Sequence, residues 1–237
     1  APVEPFSKWP GGKRWLAKKV ARFIAPRLQG RYFEPFLGGG AVFFALQPET
    51  AILSDINADL INVYVQVQQN YELIQQRLQT LPVSHDDYYR IRKEEPEDRL
   101  ERAVRFLYLN RTAFGGMYRV NQEGKFNVPY GGGQRTPEIL WRDGLLKSAS
   151  AALQGVSFEV SDFESVIDQA GSGDVVYCDP TYTVVHETNN FIRYNESNFS
   201  WADQQRLAEA AKRAYNRGVL VLVSNASHSS LTELYSP

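Results

Sequence analysis

Asp179 and Pro180 form the stretch of this chain best suited to holding an amine. They close the run Val175-Val176-Tyr177-Cys178-Asp179-Pro180-Thr181-Tyr182. Residues of strand-forming character lead straight into a carboxylate, a proline, a small residue and an aromatic. A strand of a parallel sheet is buried on both faces and ends at the edge where ligands bind, which puts Asp179 at the mouth of a cleft. Proline stops the strand and leaves carbonyls free to accept hydrogen bonds. Tyr182 adds a flat face. Two acceptors and a stacking surface suit a planar ring carrying an exocyclic amine, although Asp-Pro is also ordinary turn chemistry.

A second constellation lies near the amino terminus. Arg31–Leu37 reads as a short strand, Gly38-Gly39-Gly40 follows at once, and Ala41–Leu46 opens a helix. Strand, glycine turn and helix bring a backbone close to a nucleotide-like ligand. Ala51–Ser54 reads as the next strand and ends in Asp55, placed either to take two ribose hydroxyls or to cap the following helix; its register with the glycine turn favours ribose. The pattern Gly-x-Gly-x-x-Gly is missing, so a nucleoside-like cofactor without pyrophosphate fits better than a dinucleotide.

The elements that must position these groups alternate between strand and helix. Helical spacing covers Trp15 to about Arg27, Asn57–Leu81, Asp86–Arg92, Glu97–Asn110 and, from a capping box at Ser200–Asp203, the stretch to Asn216. Further strands are expected over Val156–Val160 and Val219–Val223. Asp55, Asp162 and Asp179 all end strands, which implies one shared cleft. Asn110–Arg135 changes character: it reads as a β-hairpin turning near Glu123-Gly124, with arginine, asparagine and aromatics among glycines. Such a mixture suits contact with base edges and base steps, although a plain surface hairpin has the same outline. Thr183–Asn198 is polar and aperiodic, as expected of a loop that orders over substrate.

Composition narrows the function classes. The 237 residues carry a formal net charge of −1, unevenly spread. Lys8–Arg31 holds eight basic residues and no acid, and 102–147 holds eight basic against three acidic. Segregation of this kind matches a polyanion-binding face with a neutralising back. One cysteine excludes an internal disulfide, and three scattered histidines argue against a zinc site, so no metal is expected. No apolar run approaches the roughly 20 residues of a membrane span. Ala1–Pro5 does not read as a secretory signal, which makes the cytoplasm the expected compartment.

Taken in order, Lys8–Lys13, Glu34–Gly40, Ser54–Asn57, Phe106–Arg111, Phe126–Tyr130, Tyr177–Tyr182 and Leu222–Asn225 make the chain resemble the Dam-like family of DNA adenine-N6 methyltransferases. The resemblance implies an α/β fold: a Rossmann-like methyltransferase sheet with helices on both faces, plus a helical and β-hairpin target-recognition insertion. Residues 1–57 and 156–237 would form the catalytic domain binding S-adenosylmethionine, and 58–155 the DNA-binding domain. It implies methyl transfer to adenine N6 in double-stranded DNA at GATC or a related short site, with base flipping, by a bacterial or phage-encoded enzyme that is a monomer in solution.

Residue by residue, Trp9 and Lys13 would help hold the cofactor. Glu34, Pro35, Phe36, Gly38 and Gly40 would pass beside its methionine part, with Asp179 behind. Asp55 would take the ribose, and Asp162 and Phe163 would border the adenine. Asp179 and the Pro180 carbonyl would accept from the target amine while Tyr182 stacks on the base. Arg119 would read guanine, Phe114 would enter the base stack and Arg111 would contact phosphate. Met117, Asn121, Lys125, Asn127, Pro129 and Tyr130 complete the expected DNA surface. Two positions depart from the familiar pattern: Thr181 stands where the family has proline, and Gly131-Gly132-Gly133 stands where a bulkier base-reading side chain is usual. The alternative from another class is a catalytically silent DNA-binding regulator of the same fold.

Overall fold

A computed structural model describes residues 2–9, 14–133, 135–180 and 199–224. In chain order the helices are α1 (Arg14–Ile24), α2 (Ala41–Leu46), α3 (Ala58–Gln79), α4 (His85–Lys93), α5 (Arg99–Thr112), α6 (Leu145–Ala152), α7 (Phe163–Ile167) and α8 (Trp201–Asn216). The strands are β1 (Tyr32–Glu34), β2 (Ala51–Asp55), β3 (Val156–Val160), β4 (Val175–Cys178) and β5 (Leu220–Val223). All pair in parallel in the order β3-β2-β1-β4-β5. The chain winds outward from β1 through β2 to β3, then crosses back to place β4 on the other side of β1. That reversal opens a crevice outside the carboxyl ends of β1 and β4, where open α/β sheets bind ligands.

Side-chain alternation along the strands builds a core on each face. Tyr32 of β1 and Val175 and Tyr177 of β4 point into one cluster with Phe43, Phe44, Leu60, Tyr64 and Val67 of α2 and α3. Phe33, Ile52 and Val176 point the other way, into a cluster with Val166 of α7 and Leu207, Ala210 and Ala214 of α8. Helices therefore cover both faces, as expected of the Rossmann-like architecture.

β1 is shorter than the sequence suggests. It ends at Glu34, because Pro35 has no N–H for the ladder and the chain enters positive φ at Gly38 (φ 48°) and Gly40 (φ 68°). α5 begins two residues later than expected, with the Asp98 side chain accepting from the Glu101 N–H. The capping box at Ser200 and Asp203 forms in full and starts α8.

Residues 56–155, between β2 and β3, make the insertion. α3 packs against α5 and also covers the sheet, so the insertion grows directly out of the core layer. The hairpin of 110–135 is not a regular ladder. It consists of two isolated bridges, Ala113 to Tyr130 and Val120 to Phe126, with the Asn121 N–H bonded to the Lys125 carbonyl and a turn at Gly124. Pro129 and the positive-φ residues Gly115, Gly116, Gly132 and Gly133 interrupt longer pairing.

Candidate active site

Three acidic residues, Asp55, Glu34 and Asp179, stand at the ends of the adjacent strands β2, β1 and β4. Their surroundings differ. Asp179 is exposed at the mouth, while Pro180 beside it is buried. Asp55 is turned into the glycine turn: one carboxylate oxygen accepts from the Gly38 N–H at 3.2 Å and the other from the Asn57 N–H at 2.9 Å. Burial pushes its pKa above the usual carboxylate value, against the pull of those amide bonds. Glu34 is buried against the sheet, where it accepts from the Tyr32 hydroxyl at 2.8 Å.

The glycine turn is walled by aromatic side chains. The Tyr64 hydroxyl donates to the Gly38 carbonyl at 2.8 Å. A Cβ on Gly40 would lie 2.8 Å from that same hydroxyl, and one on Gly38 would lie 2.7 Å from the Trp9 indole. Both glycines have positive φ, so neither space nor backbone tolerates a side chain. Gly40→Ala is expected to cost about 1–2 kcal/mol from the left-handed backbone, before the clash with Tyr64 is counted. Urea unfolding measures it, and an unchanged midpoint would show that the turn relaxes freely.

A second wall lies across the crevice, beyond Phe36. Its ring stacks on Phe163 at 5.2 Å, and Phe199 meets both rings at 5.5 Å. Asp162 caps α7 and is gripped bidentately by Arg206, with both contacts at 3.0 Å. Hydrogen bonds from Arg206, more than the charge itself, hold the Asp162 carboxyl below the usual range. The guanidinium also lies 4.6 Å over the Phe163 ring.

The amino-terminal segment ties this crevice to the insertion. The Lys8 N–H donates to the Asn110 side-chain carbonyl at 2.8 Å, and the Asn110 amide donates back to the Lys8 carbonyl at 2.7 Å. Trp9 lies on Gly38 and Gly39 on one side and stacks on Tyr118 at 5.7 Å on the other. Lys13, Thr181, Tyr182 and the loop 183–198 fall outside the described residues.

Of the expected DNA-contacting residues, several share the outer surface of the insertion. Phe114 is 58% exposed on a tight turn. Arg119, Lys125 and Pro129 are exposed, and Met117, Asn121, Asn127 and Tyr130 are half-buried behind them. The Arg119 guanidinium is oriented by the Asn127 side chain (2.8 Å) and carbonyl (3.2 Å), and the Asn121 carboxamide caps the turn. Arg111 points elsewhere: its guanidinium donates inward to the Phe6 carbonyl, while its own carbonyl accepts from Arg135. Burial first, then the neighbouring Arg142 and Arg14, push its pKa down to about 10. A hollow of about 730 Å³ lies beside the insertion turn, between it and the α4–α5 link, and is lined in part by Arg92, Arg105, Tyr118 and Asn127.

Sequence comparison decides the family. A profile described as D12 class N6 adenine-specific DNA methyltransferase matches residues 9–237. The chain belongs to this family. It is 38% identical to a Type II methyltransferase of Lactococcus lactis subsp. cremoris, over 98% of this chain and 84% of that protein. It is 34% identical to the DNA adenine methylase of Escherichia coli strain K12, over 97% and 83%. The DNA N-6-adenine-methyltransferase of Escherichia phage P1 is 37% identical over 96% of this chain but only 30% of its own length. Among the described residues of this D12-class enzyme, no helix is long and apolar enough to cross a membrane.

Sequence reasoning missed Tyr64, Phe199 and Arg206 as parts of this site. Tyr64 was legible only as a core position at helical spacing. Arg206 reaches Asp162 across 44 residues, with no local signal.

Proposed function

We propose that this D12-class enzyme moves the methyl group of S-adenosylmethionine to N6 of an adenine swung out of duplex DNA at GATC or a related short site. The observation that carries the reading is the placement of Asp179-Pro180 at the strand-order reversal, next to the glycine turn bonded by Asp55. The chain's own groups suit the cofactor. Gly38 and Gly40 let the turn run tight against Trp9 and Tyr64, which leaves its backbone free of side chains of its own at the strand ends. Each Asp55 oxygen keeps lone-pair capacity for a ribose hydroxyl, and Phe36, Phe163 and Phe199 offer an apolar wall to border adenine. Trp9 would close the methionine side.

When bound, the cofactor supplies a sulfonium methyl that is already activated. The adenine amine is a poor nucleophile because its lone pair is delocalised into the ring. Asp179 and the Pro180 carbonyl accept its two protons as hydrogen bonds, favour the pyramidal amine and stabilise the positive charge that grows on nitrogen. Holding the two reactants in line supplies much of the rest. In that arrangement the cofactor would supply the methyl group and leave as the neutral thioether, and the exposed Asp179 would pass the surplus amine proton on to solvent. Unstacking the base is offset by contacts in the pocket, with Tyr182 as the stacking face.

On the DNA side, exposed Phe114 enters the base stack and Arg119, held by Asn127, reads a guanine edge. Arg111 serves in holding the amino-terminal segment rather than a phosphate. Arg119→Ala is expected to relax preference at one base position at a cost of roughly 1–3 kcal/mol; equal weakening on all sequences would make it a backbone contact. The overall reading is tested with labelled cofactor and mixed-sequence duplex DNA, followed by digestion. N6-methyladenine supports it; tight binding without transfer would point to a silent regulator.

A further inference from the structure

We infer that the solvent face of α1 is a second duplex-DNA contact, independent of target recognition, which holds DNA outside the methylation site. Trp15 is 63% exposed and Phe23 43%, and Lys18, Lys19 and Arg22 are exposed around them. Trp15, Lys19, Phe23 and Arg27 recur every four residues and so form one stripe. Two of the cations are ordered by rings: Lys19 lies 5.3 Å from the Trp15 centroid and Arg27 lies 3.8 Å from that of Phe23.

The cations of this face differ from several others on the surface, where arginines are matched by carboxylates: Arg77 by Glu101, Arg206 by Asp162 and Asp203, Arg213 by Asp168. Along α1 only Arg14 has such a partner, Glu4 at 3.7 Å. Among the described residues, Lys18, Lys19 and Arg22 have no carboxylate within ion-pair distance. In a chain of net charge −1, three neighbouring cations without a carboxylate partner make this helix face locally positive. The 11-residue helix is about 16 Å long, a span over which duplex DNA carries roughly nine phosphates. Its amino end adjoins the insertion, since Glu4 also holds Arg142 at 2.6 Å. Charge complementarity and this contact with the insertion select duplex DNA as the occupant, and to that extent the inference rests on the function proposed above.

The test compares the full chain with the triple variant Lys18→Gln, Lys19→Gln, Arg22→Gln, and with Lys212→Gln on α8 as an exposed control. Binding to long duplex DNA is titrated against salt, and methyl transfer is measured on short unmethylated fragments. Each lost phosphate contact flattens the log–log salt slope by about 0.9, so the triple variant should give up about 40-fold of the affinity change across a fourfold rise in salt. Its transfer to short fragments should equal that of the parent. An unchanged slope and affinity on long DNA would overturn the inference. So would loss of binding to phosphatidylserine vesicles with DNA binding intact, because the face would then serve an anionic membrane. Failure of the parent to methylate short fragments would count against the proposed reaction alone, since the binding titration needs no turnover.

Discussion

Asp179→Ala is expected to lower methyl transfer by roughly 10²–10³-fold at saturating cofactor and DNA, with little change in thermal stability. The first half follows from chemistry. As the amine attacks, positive charge accumulates on nitrogen beside an acceptor that was placed before the reaction began. Alanine leaves only the Pro180 carbonyl to meet it. The second half follows from position: Asp179 is exposed at the end of β4, while buried Cys178 and Pro180 on either side carry the packing. Asp179→Asn, which keeps one acceptor oxygen but no charge, should fall between parent and alanine. Rates from labelled transfer and melting curves for all three proteins decide it. Activity within tenfold of the parent in the alanine variant would remove Asp179 from the chemistry.

Glu34 carries the second large effect, on stability. It is fully buried, with no cation at ion-pair distance among the described residues, and burial pushes its pKa from 4.5 to about 8. The nearby Asp179 raises it further, while hydrogen bonds from the Tyr32 hydroxyl and the Phe43 backbone oppose the rise. Tyr64 and Tyr177, whose own pKa values burial pushes up, face the same carboxyl. The folded state therefore binds a proton that the unfolded chain releases. The stabilisation is complete below about 4.5 and is lost as pH rises toward about 8, a swing on the order of 5 kcal/mol. Glu34→Gln keeps an acceptor oxygen for Tyr32 and cannot ionise. Between pH 5 and 9 its stability should gain on the parent by several kcal/mol in denaturant melts. Parallel curves for the two proteins would show that Glu34 is already ionised in the fold. A neutral Glu34 also leaves Asp179 free of a second negative charge behind it, which suits an acceptor for a growing cation.

Features set by near neighbours in the chain are legible in the sequence, and those set by distant packing are not. The α8 capping box depends on residues three apart and forms as read. The register between the glycine turn and Asp55 was visible as spacing, and the two are joined by a hydrogen bond across 17 residues. Glu34 falls within the expected strand Arg31–Leu37 and by resemblance beside the cofactor, but its burial next to Tyr32 follows from strand alternation that the motif does not express. Arg111 followed the same rule in reverse, since a basic residue at the end of a helix reads as a surface cation until Phe6 from the amino terminus arrives beneath it. The grip of Arg206 on Asp162 depends on how α8 docks against α7, which no short window encodes.

The single indole of Trp9 serves two rooms of the molecule at once. One side bears on the backbone turn assigned to the methyl donor, and the other on Tyr118 at the root of the surface proposed to meet DNA. Were one ligand to shift that ring on arriving, the wall offered to the other would move with it, and reciprocity would make the two effects on binding equal in size. A shared wall of this kind would let donor and duplex each sense the other before any bond is made.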